Sequence, residues 1–112
     1  MFIVLVRHGQ TDYNKKGIMQ GQQVDPLLNK LGRLQAKYTG RYLQKYFKFE
    51  KVYSSPLLRA KQTAQIIVNE LNYDKKIIYH ILYHNYYNLF VKKINYFKMY
   101  YMNLNHLDLQ NY

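Results

Sequence analysis

The segment that most constrains this chain is Phe2-Ile3-Val4-Leu5-Val6, closed at once by Arg7-His8-Gly9. Five apolar residues in succession, rich in β-branched types, read as a strand buried on both faces. In an open α/β sheet, ligands bind beyond the carboxyl ends of the strands. A cation and an imidazole placed there are candidates for chemistry. Gly9 lets the backbone turn, or approach a ligand, where a Cβ would clash. A strand that simply ends in polar residues is the plain alternative, because three residues alone are a weak motif.

Residues 9–26 follow as a polar loop holding Gly9, Gly17, Gly21 and Pro26. Asn29 is placed to cap a helix over about residues 30–46. Leu31, Leu34, Tyr38 and Tyr42 recur at steps of three and four and predict its apolar stripe. Gly32 and Gly40 lower its intrinsic propensity, so packing must hold it, and Gly32 is read as a point of close helix–sheet packing. Lys51–Ser54 predicts a short second strand. Ser55-Pro56 then opens a second helix, with serine as cap and proline in the first turn. Leu57, Ala60, Ala64, Ile67 and Leu71 mark its buried face. Strand and helix in alternation argue an α/β fold with a parallel sheet and flanking helices, joined by right-handed crossovers.

Asn72-Tyr73-Asp74 reads as a turn, and residues 77–82 as a third strand. Beyond Tyr83 there is no clean period. Residues 77–112 hold eight tyrosines, odd both for a solvated tail and for a packed core. The organisation expected is therefore residues 1–71 as a structured portion and 72–112 as an unassigned Tyr/Asn/Lys-rich segment with room for one further strand and a helix.

Arg7 and His8 end the first strand, and Arg59 stands in the first turn of the helix after the second. In a parallel sheet both places lie on one edge, so these residues converge. Two guanidiniums and a helix N-terminus facing one point make an anion site, and the planar guanidinium grips phosphate oxygens in pairs. A neutral imidazole nitrogen is a competent nucleophile towards phosphorus. Phosphoryl transfer asks chiefly for positioning and charge stabilisation. For Arg59 the plain alternative is a surface contact with Thr63, four residues on.

Gln20-Gly21, the run Asp25-Pro26-Leu27-Leu28-Asn29 with Gly32, Gln35 and Ala36, and Tyr53-Ser54-Ser55-Pro56-Leu57 with Arg59, Ala60, Thr63 and Ala64 follow Arg7-His8-Gly9 in order. Together they resemble the histidine phosphatase superfamily in its phosphoglycerate-mutase-like branch, over roughly residues 1–71. The resemblance implies the amino-terminal half of a three-layer domain and a phosphohistidine intermediate on His8. It further implies that Arg7 and Arg59 clamp the phosphoryl group and that Asn14 hydrogen-bonds it. Gln20 and Gly21 fall where the family's loop touches substrate. The family works without a metal, so no metal and no cofactor are expected. Two family components have no counterpart here: a downstream acid that protonates the leaving oxygen, and a late histidine followed by glycine. The acids after Arg59 are Glu70, Asp74 and Asp108, and His80, His84 and His106 precede Ile, Asn and Leu. His80 and His84 have metal-ligand spacing if helical, a spacing that arises more often by chance.

The expected function is a phosphatase or phosphotransferase acting on small phosphate esters, truncated and weakly active. The alternatives are a catalytically incomplete module that binds phosphorylated ligands or a protein, and phosphoglycerate mutase activity. Net charge is +11, and residues 1–76 carry 14 basic against 5 acidic side chains, which suits anionic ligands. The cations are spread along the chain and no nucleic-acid motif is present, which argues against a nucleic-acid module. The absence of cysteine excludes disulfides and thiolate metal sites and fits a cytoplasmic protein. The five-residue apolar run is too short for a signal peptide, and no stretch approaches the ~18 apolar residues of a membrane span. A sheet with half its strands leaves apolar surface uncovered, so self-association is expected.

Overall fold

The computed structural model describes residues 1–18, 25–80, 87–92 and 97–104. The elements are β1 (Phe2–Arg7), α1 (Asp12–Lys15), α2 (Lys30–Tyr46), β2 (Lys51–Ser54), α3 (Leu58–Leu71), β3 (Ile78–Tyr79), β4 (Tyr87–Lys92) and β5 (Lys98–Met102). They build a five-stranded sheet in the order β3-β2-β4-β1-β5, with α2 and α3 packed together on it.

Four strands run in one direction, as a parallel sheet requires, but β4 does not. It lies antiparallel between β1 and β2, with Val4 opposite Phe90 and Phe90 opposite Val52. The expected parallel sheet is thus a mixed one. Chain length explains the reversal. Only residues 80–86 separate β3 from β4, whereas a parallel crossover needs a dozen or more. Residues 93–97 are as short a link to β5, which returns beside β1 in parallel register, Val4 opposite Tyr100.

The core lies on one face of this sheet. Phe2, Val4 and Val6 of β1 point into it and meet Val52, Phe90, Ala36, Leu43 and Ile67. Phe2, Phe47, Phe49 and Phe90 form a chain of tilted ring contacts, with centroids 4.7 to 5.7 Å apart. The other face was expected to be equally buried. Instead Ile3, Leu5, Tyr53 and Leu89 are only half-buried, and no helix covers them among the described residues. Both long helices belong to the first face, so the described residues supply one helical layer rather than two.

Helix α2 starts and stops where the sequence places it. Asn29 accepts the Gly32 amide at 2.8 Å, and the helix ends at Tyr46. Its buried face, however, is Gly32, Gln35, Ala36, Thr39, Gly40 and Leu43. The predicted stripe of Leu31, Leu34 and Tyr42 is exposed. Small residues win because they permit close approach. A Cβ at Gly40 would stand 2.7 Å from the Cβ of Glu70 on α3, and one at Gly32 would run into the carbonyl of Gln10. Gly32 therefore packs against the loop after β1 rather than against a strand.

Helix α3 begins later than Ser55-Pro56 predicts. Its cap position is Leu57, which has no side-chain capping bond. Ser55 Oγ instead accepts from Leu57 N at 3.3 Å, and Asp25 Oδ1 accepts from Leu58 N at 2.7 Å. The cap comes from 33 residues upstream, which local reading does not find. At the far end, Asn72 takes the left-handed conformation (φ 54°) and closes the helix as the expected turn.

Candidate active site

The loop after β1 is held from three sides. Gly9 N donates to Thr63 Oγ1 at 3.0 Å, Gln10 N to Gln35 Oε1 at 2.9 Å, and Asn29 Nδ2 to Gln10 Oε1 at 3.0 Å. Two helices thus fix the backbone that carries His8. A short turn of helix, α1, follows inside what the sequence presents as loop. Thr11 and Asn14 form a reciprocal capping box there: Asn14 N donates to Thr11 Oγ1, and Thr11 N donates to Asn14 Oδ1.

His8 is fully buried. Its Nδ1 lies 2.7 Å from the carbonyl of Gly9. A carbonyl only accepts, so the ring proton belongs on Nδ1 and the lone pair on Nε2. Burial drives the imidazole pKa down from 6.5 to about 4. The Gly9 carbonyl pulls it up again in part, while the Arg59 and Arg7 guanidiniums push it further down. His8 is accordingly neutral at pH 7, and both arginine charges are close enough to act on it.

Arg59 is fully buried in the first turn of α3, and Arg7 is half-buried at the end of β1. Burial removes the surface alternative for Arg59. Thr63 does meet it, but through Thr63 Oγ1 donating to the Arg59 carbonyl at 2.7 Å. Arg7, His8 and Arg59 therefore share the carboxyl end of the sheet. The α3 N-terminus serves an anion less than expected, because Asp25 occupies its leading amide. Asn14 has its Oδ1 committed to the capping box, which leaves Nδ2 as what it can offer an anion. Gln20 and Gly21 lie outside the described residues, as do His84, His106 and Asp108.

Glu70 sits at the far end of α3, paired with Arg41 at 3.4 Å on the surface, and Asp74 is exposed beyond the helix. Neither acid stands at the His8 edge. Among the described residues no group of three or more His, Cys, Asp or Glu could hold a metal ion, and no helix is long and apolar enough to cross a membrane. A cleft of about 590 Å³ lies beside the His8 loop, lined by Gln10, Asp12, Lys15, Asn29, Leu31 and Leu34 among others. A second cavity, about 690 Å³, lies between α2 and β5 and includes none of the site residues. Thr63, Gln35 and Asp25 escaped sequence reasoning as structural parts of the site. Their spacing from His8 and Arg59 gives no local signal; only Thr63, one turn after Arg59, was within reach.

Residues 3–82 match the profile of the histidine phosphatase superfamily (branch 1). The fructose-2,6-bisphosphatase TIGAR of Xenopus tropicalis is 47% identical over 79 residues, which is 69% of this chain and 28% of that protein. Among solved structures, a mycobacterial glucosyl-3-phosphoglycerate phosphatase in complex with VO3 superposes with a TM-score of 0.62 at 35% identity, covering 71% of this chain and 36% of that one. The Entamoeba histolytica phosphoserine phosphatase in complex with 3-phosphoglyceric acid gives 0.59 at 33% identity, covering 71% and 38%. The chain thus spans less than two fifths of the length of each of these relatives. On its glycine-turned Arg7-His8 edge, its buried Arg59 and its match over residues 3–82, the chain belongs to the histidine phosphatase superfamily.

Proposed function

We propose that this chain accepts a phosphoryl group from small phosphate esters onto His8. The observation that carries this reading is the state of His8: buried, neutral, its proton held on Nδ1 by Gly9 and its Nε2 lone pair beside two arginine charges. In the first step Nε2 forms a bond to phosphorus and the ester P–O bond breaks, releasing an alkoxide or aryl oxide. Arg7 and Arg59 balance charge on the equatorial oxygens, and Asn14 Nδ2 donates to one of them. In the second step water attacks phosphorus, the N–P bond breaks, and inorganic phosphate leaves with a proton passing to solvent. The relatives, a bisphosphatase and two phosphatases of small phosphorylated metabolites, support this substrate class. The cysteine-free composition supports a cytoplasmic location, and the half-covered sheet face supports self-association.

A second reading, phosphate binding with little turnover, has its own support in the surface pairing of Glu70 with Arg41. A positioned general acid contributes about 10²–10⁴-fold. An aryl oxide leaves without a proton and an alkoxide does not. Slow turnover of para-nitrophenyl phosphate with almost none of a phosphoglycerate is the expected pattern. Brief exposure to a reactive phosphate donor, followed by mass-spectrometric mapping, should place an acid-labile, base-stable phosphate on His8. Label that persists in His8→Ala overturns the nucleophile. Brisk, equal rates on both substrates overturn the missing acid, and vanadate binding without any label or turnover favours the second reading.

A further inference from the structure

Strand β4 fills the space between β1 and β2, and near its catalytic end stands Asn88. It pairs with Val6 on one side, two residues before His8, and with Ser54 on the other. Its side chain has no exposed surface. Phe90, two residues on and on the same face, belongs to the apolar core. Asn88 breaks that pattern at the end nearest the site.

Asn88 Nδ2 donates to the carbonyl of Ala60 at 3.1 Å. Because a carbonyl only accepts, the amide orientation is fixed: nitrogen towards Ala60, Oδ1 away from it. Oδ1 is buried and has no hydrogen-bond partner among the described residues. An orphaned buried acceptor opposes folding, and leucine would fill a similar volume without one. As pure scaffold, asparagine is therefore a poor choice here. What it adds over leucine is a grip on the first turn of α3. Ala60 directly follows Arg59, and the Arg59 carbonyl is held by Thr63, which also receives Gly9 N. That turn is thus tied at two successive carbonyls, one through the residue after His8 and the other from β4.

We infer that Asn88 is a positioning residue for the phosphate site: by holding Ala60 from β4, it sets where the Arg59 guanidinium stands relative to His8. This inference rests on the phosphate-site reading above. Residue 88 lies beyond the stretch 3–82 that carries the family match, so the role belongs to this chain's own later segment.

The test measures orthovanadate affinity by calorimetry and the ligand-free melting midpoint, for the unaltered chain, Asn88→Leu, Asn88→Asp, Arg59→Lys and the Asn88→Leu/Arg59→Lys double variant. Asn88→Leu removes both polar atoms; Asn88→Asp keeps the size but cannot donate to Ala60. Both should weaken vanadate binding about tenfold, with the Asn88→Leu midpoint within about 3 °C of the parent or above it. In the Arg59→Lys background, Asn88→Leu should add less than about twofold. Unchanged affinity in both folded variants overturns the role. So does an undiminished loss in the Arg59→Lys background, which would mean that Asn88 acts independently of Arg59. Loss of the cooperative melt in both variants assigns Asn88 to scaffold alone. No vanadate binding by the unaltered chain overturns the phosphate-site reading and this one with it, whereas loss on Arg59→Lys with Asn88 variants intact overturns this one only.

Discussion

The backbone amide of Gly9 donates to Thr63 Oγ1 across 3.0 Å, joining residues 54 apart in the chain. Both groups are buried, and the same hydroxyl donates onward to the Arg59 carbonyl. One side chain thereby links the residue after His8 to the residue that carries the buried guanidinium.

Thr63→Val keeps the shape and removes that link. The Gly9 amide is then buried without its acceptor, which costs about 1–3 kcal/mol. Thr63→Ser should recover most of the loss. Chemical denaturation of the three proteins checks this, and a valine variant as stable as the parent would show that the Gly9 amide finds another partner.

The glycines separate two kinds of constraint. A Cβ at Gly32 meets backbone, the Gln10 carbonyl, which cannot swing aside as a side-chain tip can. Gly32→Ala should therefore destabilise by roughly 1–3 kcal/mol or more, as overpacking does. Gly17 has open space around it but a φ of +71°. Gly17→Ala should cost only about 1–2 kcal/mol, the strain of left-handed backbone. Equal losses, or the reverse order in urea titrations, would count against the close packing of α2 on the His8 loop.

The His8 ring gives a pH prediction with a definite sign. Its folded pKa, about 4, lies below the unfolded 6.5. Stability is therefore fully present above pH 6.5 and declines as pH falls, because the unfolded chain takes up a proton that the folded one refuses until about pH 4. The interval amounts to roughly 3 kcal/mol. Denaturation at pH 7 and pH 4.5 should show most of that difference in the parent and little of it in His8→Gln. A His8 imidazole resonance titrating near 6.5 in the folded protein, assigned by its loss in His8→Gln, would contradict the burial argument.

Leu5 and Leu89 face each other on the half-covered side of the sheet. Apolar surface of this kind drives association and dye binding. The chain should bind a hydrophobic dye at neutral pH while still melting cooperatively, and light scattering should report species above monomer mass. Leu89→Lys should reduce both signals with little loss of stability. A monomer that ignores the dye would mean this face is covered.

The sequence spoke most clearly where chemistry is local. Asn29 fixed the start of α2 because a cap is read from one residue, and Arg7-His8 and Arg59 fell on one edge because the strands they follow run in the same direction. It misled where packing is decided by absence of side chain. Leu31, Leu34 and Tyr42 have the period of a core face, yet Gly32, Ala36 and Gly40 won it, since only they admit Gln10 and Glu70 so closely. The α3 start was misplaced because its cap is Asp25, remote in sequence. Strands β4 and β5 carry Asn88, Lys92 and Lys98 in no clear alternation, so nothing periodic announced them; their place comes from two short links that forbid a crossover.

Since β4 stands between β1 and β2, the strand that ends in Arg7 and the strand that leads into the Arg59 helix never hydrogen-bond each other. Strand β4 must pair with both before the sheet closes beneath His8 and Arg59, and Phe2 at the start of β1 pairs with Lys92. Pairings so distant in sequence are slow to form. During refolding the sheet edge that carries His8 is thus the late product of assembly, and protection of the β1 amides should recover more slowly than helix content.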